Sequence, residues 1–440
     1  MFLAIFAALG MAYASSSSLN MRQSSNLSDF SQARLEAESA LAYYNYTLAK
    51  VGVAKGKSGQ ALLDDLADRL ADNLNGKSHF NGVGVTYSNG TITIPPASLG
   101  AGRSFGAAIT LAGTNTVHLR LTGQADGVSR AIGLNLTTKA GNNFVMSCGI
   151  ASKSAIKLTG NASVAGANNS AEGSILSATY STTNAVTITG NCAIQGDIYA
   201  SNPDAAVSMT GNVSVGGESS NSAAVKDHIH IGIGAVDFPE VDPTVFEPYA
   251  TNIIDSHTST NGNKTFTNIR IKAGTNPTFS GNITIKGVVF VEQPNVVTFS
   301  GNTNMTGVLV TQDAGDNTYT TNKIKFTGNM TSKGVEQLPD TAEFHELREL
   351  KGSFILAPGF GVSFAGNFGT VNGTMAADAF TFVGNSGGTV KGGIINYSDS
   401  DFTLTGNSRV VIDRNGMPDT PAGFNIPAGL ATDASSYVEY

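Results

Sequence analysis

The dipeptide Gly-Asn returns nine times in one local frame, and a chain with that recurrence is constrained to stack like units on one another. It stands at Gly160-Asn161, Gly190-Asn191, Gly211-Asn212, Gly281-Asn282, Gly301-Asn302, Gly328-Asn329, Gly366-Asn367, Gly384-Asn385 and Gly406-Asn407. Two places before each glycine is an apolar residue: Leu158, Ile188, Met209, Phe279, Phe299, Phe326, Phe364, Phe382 and Leu404. In the most regular copies the unit continues as Ile283-Thr284-Ile285-Lys286-Gly287-Val288-Val289-Phe290, with the alternation of a strand buried on one face. Successive dyads are 30, 21, 70, 20, 27, 38, 18 and 22 residues apart. The short spacings cluster near twenty, which predicts one turn of a parallel β-helix per repeat, with insertions in the longer gaps. Such a unit cannot bury its apolar edge alone and needs neighbours. At about 4.8 Å per turn, equivalent Phe and Ile side chains form internal columns and the asparagines can ladder. The glycines are expected at φ > 0. A β-sandwich is the alternative fold, but it would not repeat a turn dipeptide in a fixed frame. The expected fold class is mainly β: a long N-terminal α-helix plus a parallel, right-handed β-helix.

The helix is read from residues 1–52. Residues 1–14 are almost wholly apolar, Ser15 to Ser18 follow, no charge precedes Arg22, and no proline interrupts the run. Beyond Arg22, Leu27, Phe30, Leu41, Tyr44 and Leu48 recur with Ala33, Ala37 and Ala40 between them, at spacings of three and four that mark one helix face. At about 1.5 Å per residue the helix would be roughly 75 Å long, more than its own domain can cover. Three readings compete. Ala12-Tyr13-Ala14 fits a signal-peptidase site, but the basic n-region is missing. The uncharged run 1–21 is near the minimum for a membrane anchor, and its serines and Asn20 make a poor one. A polymerisation helix that waits in the membrane and then enters a filament core accounts for both features. Phe2, Leu3, Ile5, Phe6, Leu9, Met11, Leu27 and Phe30 are its expected contact residues.

Residues 2–44, and especially Ser15-Ser16-Ser17-Ser18-Leu19-Asn20 through Asn26-Leu27-Ser28-Asp29, followed by Ala33 to Tyr44 with Arg34-Leu35-Glu36-Ala37-Glu38-Ser39-Ala40-Leu41, resemble the N-terminal helix of PilX-like type IV pilin proteins. The resemblance covers about a tenth of the chain. It implies a filament subunit whose short basic leader is removed by a prepilin peptidase, which would explain the missing n-region. The chain departs from major pilins at Ile5, where they carry a glutamate that pairs with a neighbouring amino terminus. Pro421-Ala422-Gly423-Phe424 and Tyr437-Val438-Glu439 resemble the ends of PilX-like proteins with β-helical domains.

Four segments are expected: the helix 1–52; a linker and amphipathic helix over 53–80; a β-helix over 81–416 with insertions near 221–262 and 335–352; and a closing tail over 417–440. Leu62, Leu63, Leu66, Leu70 and Leu74 give the second helix one apolar face, Gly76 stops it, and it is expected to cap the β-helix. Asn89-Gly90 reads as a hairpin turn, and two further strands lie on either side of Gly113-Thr114-Asn115. Pro239, Pro243 and Pro248 make that part of the first insertion an extended segment lying over the solenoid, and the second is expected to hold a short helix starting near Asp340-Thr341.

Candidate chemistry is sparse. Polysaccharide lyases and hydrolases built on β-helices need clustered carboxylates along one face, whereas the repeat strands here carry mainly Thr, Ser, Val, Ile and Asn. His228 and His230 share a strand face, with Asp227 and His257 as possible companions for a metal; solvent-facing histidines are the plainer reading. His345-Glu346 lacks the second histidine of a zinc-protease motif, and Asp313-Ala314-Gly315-Asp316-Asn317 is read as an acidic turn ahead of a calcium loop. Thirteen Asn-x-Ser/Thr sequons occur, among them Asn45, Asn135, Asn304 and Asn396; those at Asn161, Asn212, Asn282 and Asn329 coincide with the ladder, where a glycan would interfere. Cys148 and Cys192 are expected as free thiols two turns apart.

Charged residues make up 13% of the chain and the net charge is −7, which disfavours nucleic acid as a partner and suits an extracellular β-rich protein. The expected function is that of a non-enzymatic structural subunit of an extracellular type IV pilin-like filament, exported through the inner membrane. Its partners would be copies of itself, the membrane before assembly, and extracellular polysaccharide or surfaces in adhesion or matrix scaffolding. No cofactor or metal is expected. The alternatives are a monomeric secreted or anchored β-helical adhesin and a polysaccharide-acting enzyme.

Overall fold

A computed structural model of the chain describes residues 2–53, 57–139, 143–315, 318–426 and 429–440, without the side chains of residues 2–8, 10, 49 and 50. The chain divides into two units: residues 1–142 with 426–440, and residues 143–425.

The first unit is a helix laid on an antiparallel sheet. Helix α1 (Phe2–Val51) is followed by α2 (Gly59–Leu74) and strands β1 (Thr86–Ser88), β2 (Thr91–Gly100), β3 (Arg103–Gly113), β4 (Thr116–Ala125) and β5 (Val128–Lys139). These strands pair in sequence order, and Gly429–Glu439 adds antiparallel to β5. Residues 86–139 were expected to begin the β-helix, and this placement is corrected. Tight turns at Asn89-Gly90, Ala101-Gly102 and Asp126-Gly127, all at positive φ, reverse the chain within two residues. Such turns permit only antiparallel neighbours. Of the expected tail, Gly429–Glu439 completes this sheet and does not close the solenoid, whereas Phe424–Asn425 belongs to the second unit and pairs with Glu240–Val241. Helix α2, expected as a cap of the β-helix, has Leu62, Leu63, Leu66, Leu70 and Leu74 packed with Ile92, Ile109, Leu119 and Tyr44 in the core of this unit.

The second unit is a parallel β-helix. Its first rung comprises Ile150–Ser152, Ile156–Gly160 and Ser163–Gly166, and Ile175–Ser177 begins the second by pairing with Ile150–Ser152. The second continues with Asn184–Ile194, the third comprises Ile198–Ala200 and Ala206–Val215, and Ile229–Ile231 begins a fourth, all in parallel register. The chain does not continue from there. Residues 232–251 cross to the opposite end, where Asn252–Ile254 starts a second series that winds back through Lys264–Ile271, Asn282–Val291 and Asn302–Thr311. The last strands, Phe402–Gly406 and Arg409–Asp413, pair with Ile156–Gly160 and Ser163–Gly166 of the first rung. In space the dyad glycines therefore run Gly262, Gly281, Gly301, Gly328, Gly366, Gly384, Gly406, Gly160, Gly190, Gly211, each against the rung before it.

Nine steps of about 4.8 Å make this column roughly 43 Å long. The crossing segment, with its 3-10 turn at Pro243–Tyr249, can reach roughly 55 Å. It is tied down along the way: Asn143 Nδ2 donates to Asp237 O (3.1 Å), the Tyr397 hydroxyl to Pro239 O (2.5 Å), and Arg270 Nη1 to Glu247 Oε1 (2.9 Å).

Inside the solenoid, Phe279, Phe299, Phe326, Phe364 and Phe382 stack with centroids 4.7–5.1 Å apart and ring planes within 13°. Leu404, Leu158, Ile188 and Met209 continue the same column. A second apolar layer lies outside one face. There Val288, Phe290, Val308, Val310, Leu356 and Ile395 are covered by Phe246 of the crossing and by Val335, Leu338, Phe344 and Leu347. Strands buried on both faces read as continuous apolar runs, which explains Val288 to Val291. The expected insertion 221–262 shrinks to the crossing, since Ile229–Ile231 and Asn252–Ile254 belong to rungs. The expected helix near Asp340-Thr341 is only a 3-10 turn, Leu347–Glu349, because this segment follows the covered face instead of forming its own core.

Candidate functional site

Helix α1 has two halves of different character. From Ala33 onward it is packed: Ala33, Ala37, Ala40 and Tyr44 are fully buried and Leu48 nearly so. The small residues let the helix backbone settle on Gly123 of β4, where any Cβ would run into Ala33 O and Ala37 N. Glu36, buried in that contact, accepts from Gln32 Nε2 (2.8 Å) and faces Arg103 Nη1 at 3.5 Å.

Ahead of Ala33, the described side chains of the helix are largely open. Leu9 is 62% exposed, Met11 69% and Leu27 72%, with Leu19 and Met21 similarly open. Phe2, Leu3, Ile5 and Phe6 fall on side chains outside the described residues. Phe30 marks the boundary, with the Arg130 guanidinium 3.4 Å from its ring centroid. Arg34 bridges Glu38 (3.2 Å) and Glu439 of the C-terminal strand (2.9 Å), while Arg130 Nη1 donates to Tyr440 O (3.2 Å). These residues form a collar where the helix leaves the sheet. The collar is not legible in the sequence, because residues 30–38, 130 and 439–440 meet only in the fold. Among the described residues, no helix is long and apolar enough to cross a membrane.

The dyads line a shallow groove of about 320 Å³ beside Asn282, Asn302 and Asn329. Their amides bond in series: Asn329 Nδ2 donates to Asn302 Oδ1 (3.0 Å), Asn302 to Asn282 (3.1 Å) and Asn282 to Asn263 (3.0 Å). A second run goes from Asn161 to Asn407 (2.8 Å) and from Asn407 to Asn385 (2.9 Å), and Asn212 donates to Asn191 (2.7 Å). Asn367 belongs to no such run; its backbone carbonyl accepts from Met330 N. These asparagines are exposed, and one expectation changes. The positive φ holds at Gly160, Gly190, Gly211, Gly281, Gly384 and Gly406 but not at Gly301, Gly328 or Gly366. At those three, a Cβ would collide with the carbonyl oxygen of the glycine one rung away, so close approach is what demands glycine. Gly262-Asn263 is a tenth member that escaped notice because Thr260 replaces the apolar residue two places before the glycine.

His228 and His230 face one carboxylate from opposite sides: His228 Nδ1 lies 2.7 Å from Asp197 Oδ1 and His230 Nε2 3.2 Å from Asp197 Oδ2. Burial pushes the Asp197 carboxyl up, but bonds from both imidazoles and from Tyr199 outweigh it and hold the pKa below the ordinary value. Their partner is Asp197, not the expected Asp227 or His257, and among the described residues no group of three such side chains is placed to hold a metal. Asp316 and Asn317 of the acidic turn lie outside the described residues. Glu292 is held by Lys272 (2.8 Å) and Arg270 (3.4 Å).

Cys148 and Cys192 are free and buried, one in the outer apolar layer and the other in the inner column. They are separated by layer, and not by two turns as expected. Burial pushes the Cys148 thiol up to about 12, against the opposing pull of Arg414 and Ser147.

No protein-family model matches the chain, and no curated protein does. Among solved structures, the competence-associated pilin ComZ from Thermus thermophilus aligns over 94% of this chain and 97% of its own, at 11% identity and a TM-score of 0.30. An overlap that loose bears on neither fold nor function.

Proposed function

We propose that this chain is a structural subunit of an extracellular, type IV pilin-like filament, in which the forward half of α1 enters a core of like helices and the β-helix is carried at the surface. The observation that supports it is the division of α1 at Ala33. One half is locked to a sheet by buried small residues, and the other presents Leu9, Met11, Leu19, Met21 and Leu27 to solvent. Apolar surface in that quantity needs a cover, and a neighbouring copy of the same helix supplies one. The resemblance of residues 15–41 to PilX-like helices points the same way. Export to the cell surface, a membrane-held stage before assembly, and use in adhesion or matrix scaffolding belong to this reading, with copies of the chain as the first partner and polysaccharide or another surface as the second.

Electron microscopy of the full chain and of Leu9→Asp and Met11→Asp tests it. Neither side chain is packed in the monomer, so both variants should keep the wild-type thermal melt and β-rich circular dichroism. A charge buried without a partner between helices is costly, so filaments should be lost. Filaments formed equally well by both variants would make the monomeric adhesin the better reading.

A further inference from the structure

The first and last rungs of the β-helix are adjacent, and the contact between them is unlike its neighbours. Along one corner the register runs Ala377, Asn396, Ser152, Ser177, Ala200, Ile231. Asn396 is fully buried there. Its Nδ2 lies within reach of Ser152 Oγ (3.1 Å), Ser154 Oγ (3.0 Å) and Ser400 O (2.9 Å), and its Oδ1 accepts from Phe380 N (2.9 Å). At the next corners Lys157 pairs with Asp401 (2.5 Å) and Asn168 Nδ2 donates to Asp413 Oδ1 (2.8 Å). The bonds of Asn396 with Ser152 and Ser154, of Lys157 with Asp401 and of Asn168 with Asp413 each join a residue of the first rung to one of the last.

We propose that residues 394–413 are a keyed closure, without which the rung at 150–166 does not hold its structure. Backbone pairing between parallel rungs is generic, so in a repeat any open edge could accept a wrong rung. The keys remove that freedom. Placed against Ala377 or Ala200 instead, Ser152 and Ser154 would take their oxygens away from Asn396, whose Nδ2 would keep only Ser400 O, and an N–H buried without an acceptor penalises the wrong stack. Ile156–Gly160 and Ser163–Gly166 therefore stay open on one side until Phe402–Gly406 and Arg409–Asp413 arrive. In a chain delivered across a membrane from its N-terminal end, the early rungs would remain unfinished until residue 413 has passed. That consequence rests on the export proposed above; the closure itself does not.

Hydrogen exchange followed by mass spectrometry on the full chain tests the closure, with Asn396→Ala set against Asn295→Ala. Asn295 is equally buried and donates to Lys272 O and Glu292 O, away from the seam. Asn396→Ala should speed exchange roughly tenfold or more over both 150–166 and 394–413 and leave 282–311 unchanged. Asn295→Ala should do the reverse. Retained protection at 150–166 in Asn396→Ala would overturn the closure. Should Asn396→Ala not fold, pulse-labelled refolding of the unaltered chain decides: 150–166 and 394–413 should gain protection with one rate constant, and earlier protection of 150–166 would sink the idea.

Discussion

The side-chain amide of Asn161 donates to Asn407 across 2.8 Å, although they are 246 positions apart in the chain. Their glycines stand in the same relation, since a Cβ on Gly160 would lie 2.7 Å from Gly406 O. The two dyads are neighbours in the middle of the column, with Gly384 beyond one and Gly190 beyond the other. Neither is terminal, and this changes what substitutions along the ladder should do.

Asn407→Ala and Asn302→Ala should cost the same. Each side chain donates one ladder bond and accepts another, and each is exposed, so removal should cost about 0.5 to 1.5 kcal/mol. Urea unfolding of the two variants checks this; a markedly smaller loss at Asn407 would mean that its rung lies at an end.

Gly301 should resist replacement even though its φ is not positive. Gly301→Ala pushes a methyl group against Gly281 O in a column that cannot spread locally. The expected cost is about 1 to 3 kcal/mol. Gly113→Ala, with only ordinary contacts to Thr116, is the control and should fall within about 1 kcal/mol of the unaltered protein in thermal melts.

The phenylalanine column should accept leucine better than alanine. Phe326 stacks between Phe299 and Phe364, but Leu404 and Leu158 fill equivalent positions elsewhere in the same column. Phe326→Ala should cost about 3 to 5 kcal/mol and Phe326→Leu about 1 to 2. Equal losses would mean that ring stacking, not filled volume, is what the column requires.

Cys148 should weaken the fold at high pH. Burial holds its thiol protonated up to about 12, while an unfolded thiol ionises near 8.5. Between those values the unfolded chain releases a proton that the folded chain keeps, so stability falls as pH rises through that window and is unaffected by this group below it. Denaturation midpoints of the natural chain and of Cys148→Ala at pH 7.5 and 10.5 should converge as the pH rises. In the folded protein, iodoacetamide at pH 8 should label neither cysteine.

The amino-acid sequence by itself determined the elements whose signals are local. Periodicity marked α1 and α2, Asn89-Gly90 marked a hairpin, and the dyads with their preceding Phe, Leu, Ile or Met marked the rungs and their inner column. Each such signal lies within a few residues of what it specifies. Only the tertiary structure decided the order of the rungs. Parallel pairing is the same between any two repeats, and nothing local to Gly211 says that the next rung in space lies elsewhere in the chain. A clue was present in the likeness of Leu404-Thr405-Gly406-Asn407 to Leu158-Thr159-Gly160-Asn161, against the phenylalanine type of the repeats from Phe279 to Phe382. The same limit explains residues 86–139, where alternation fits a strand of either kind and the choice fell to two-residue turns and to a helix backbone seated on Gly123. It also explains the glycines, because a positive φ can be guessed from a turn, whereas the carbonyl that excludes a Cβ at Gly301 belongs to another rung.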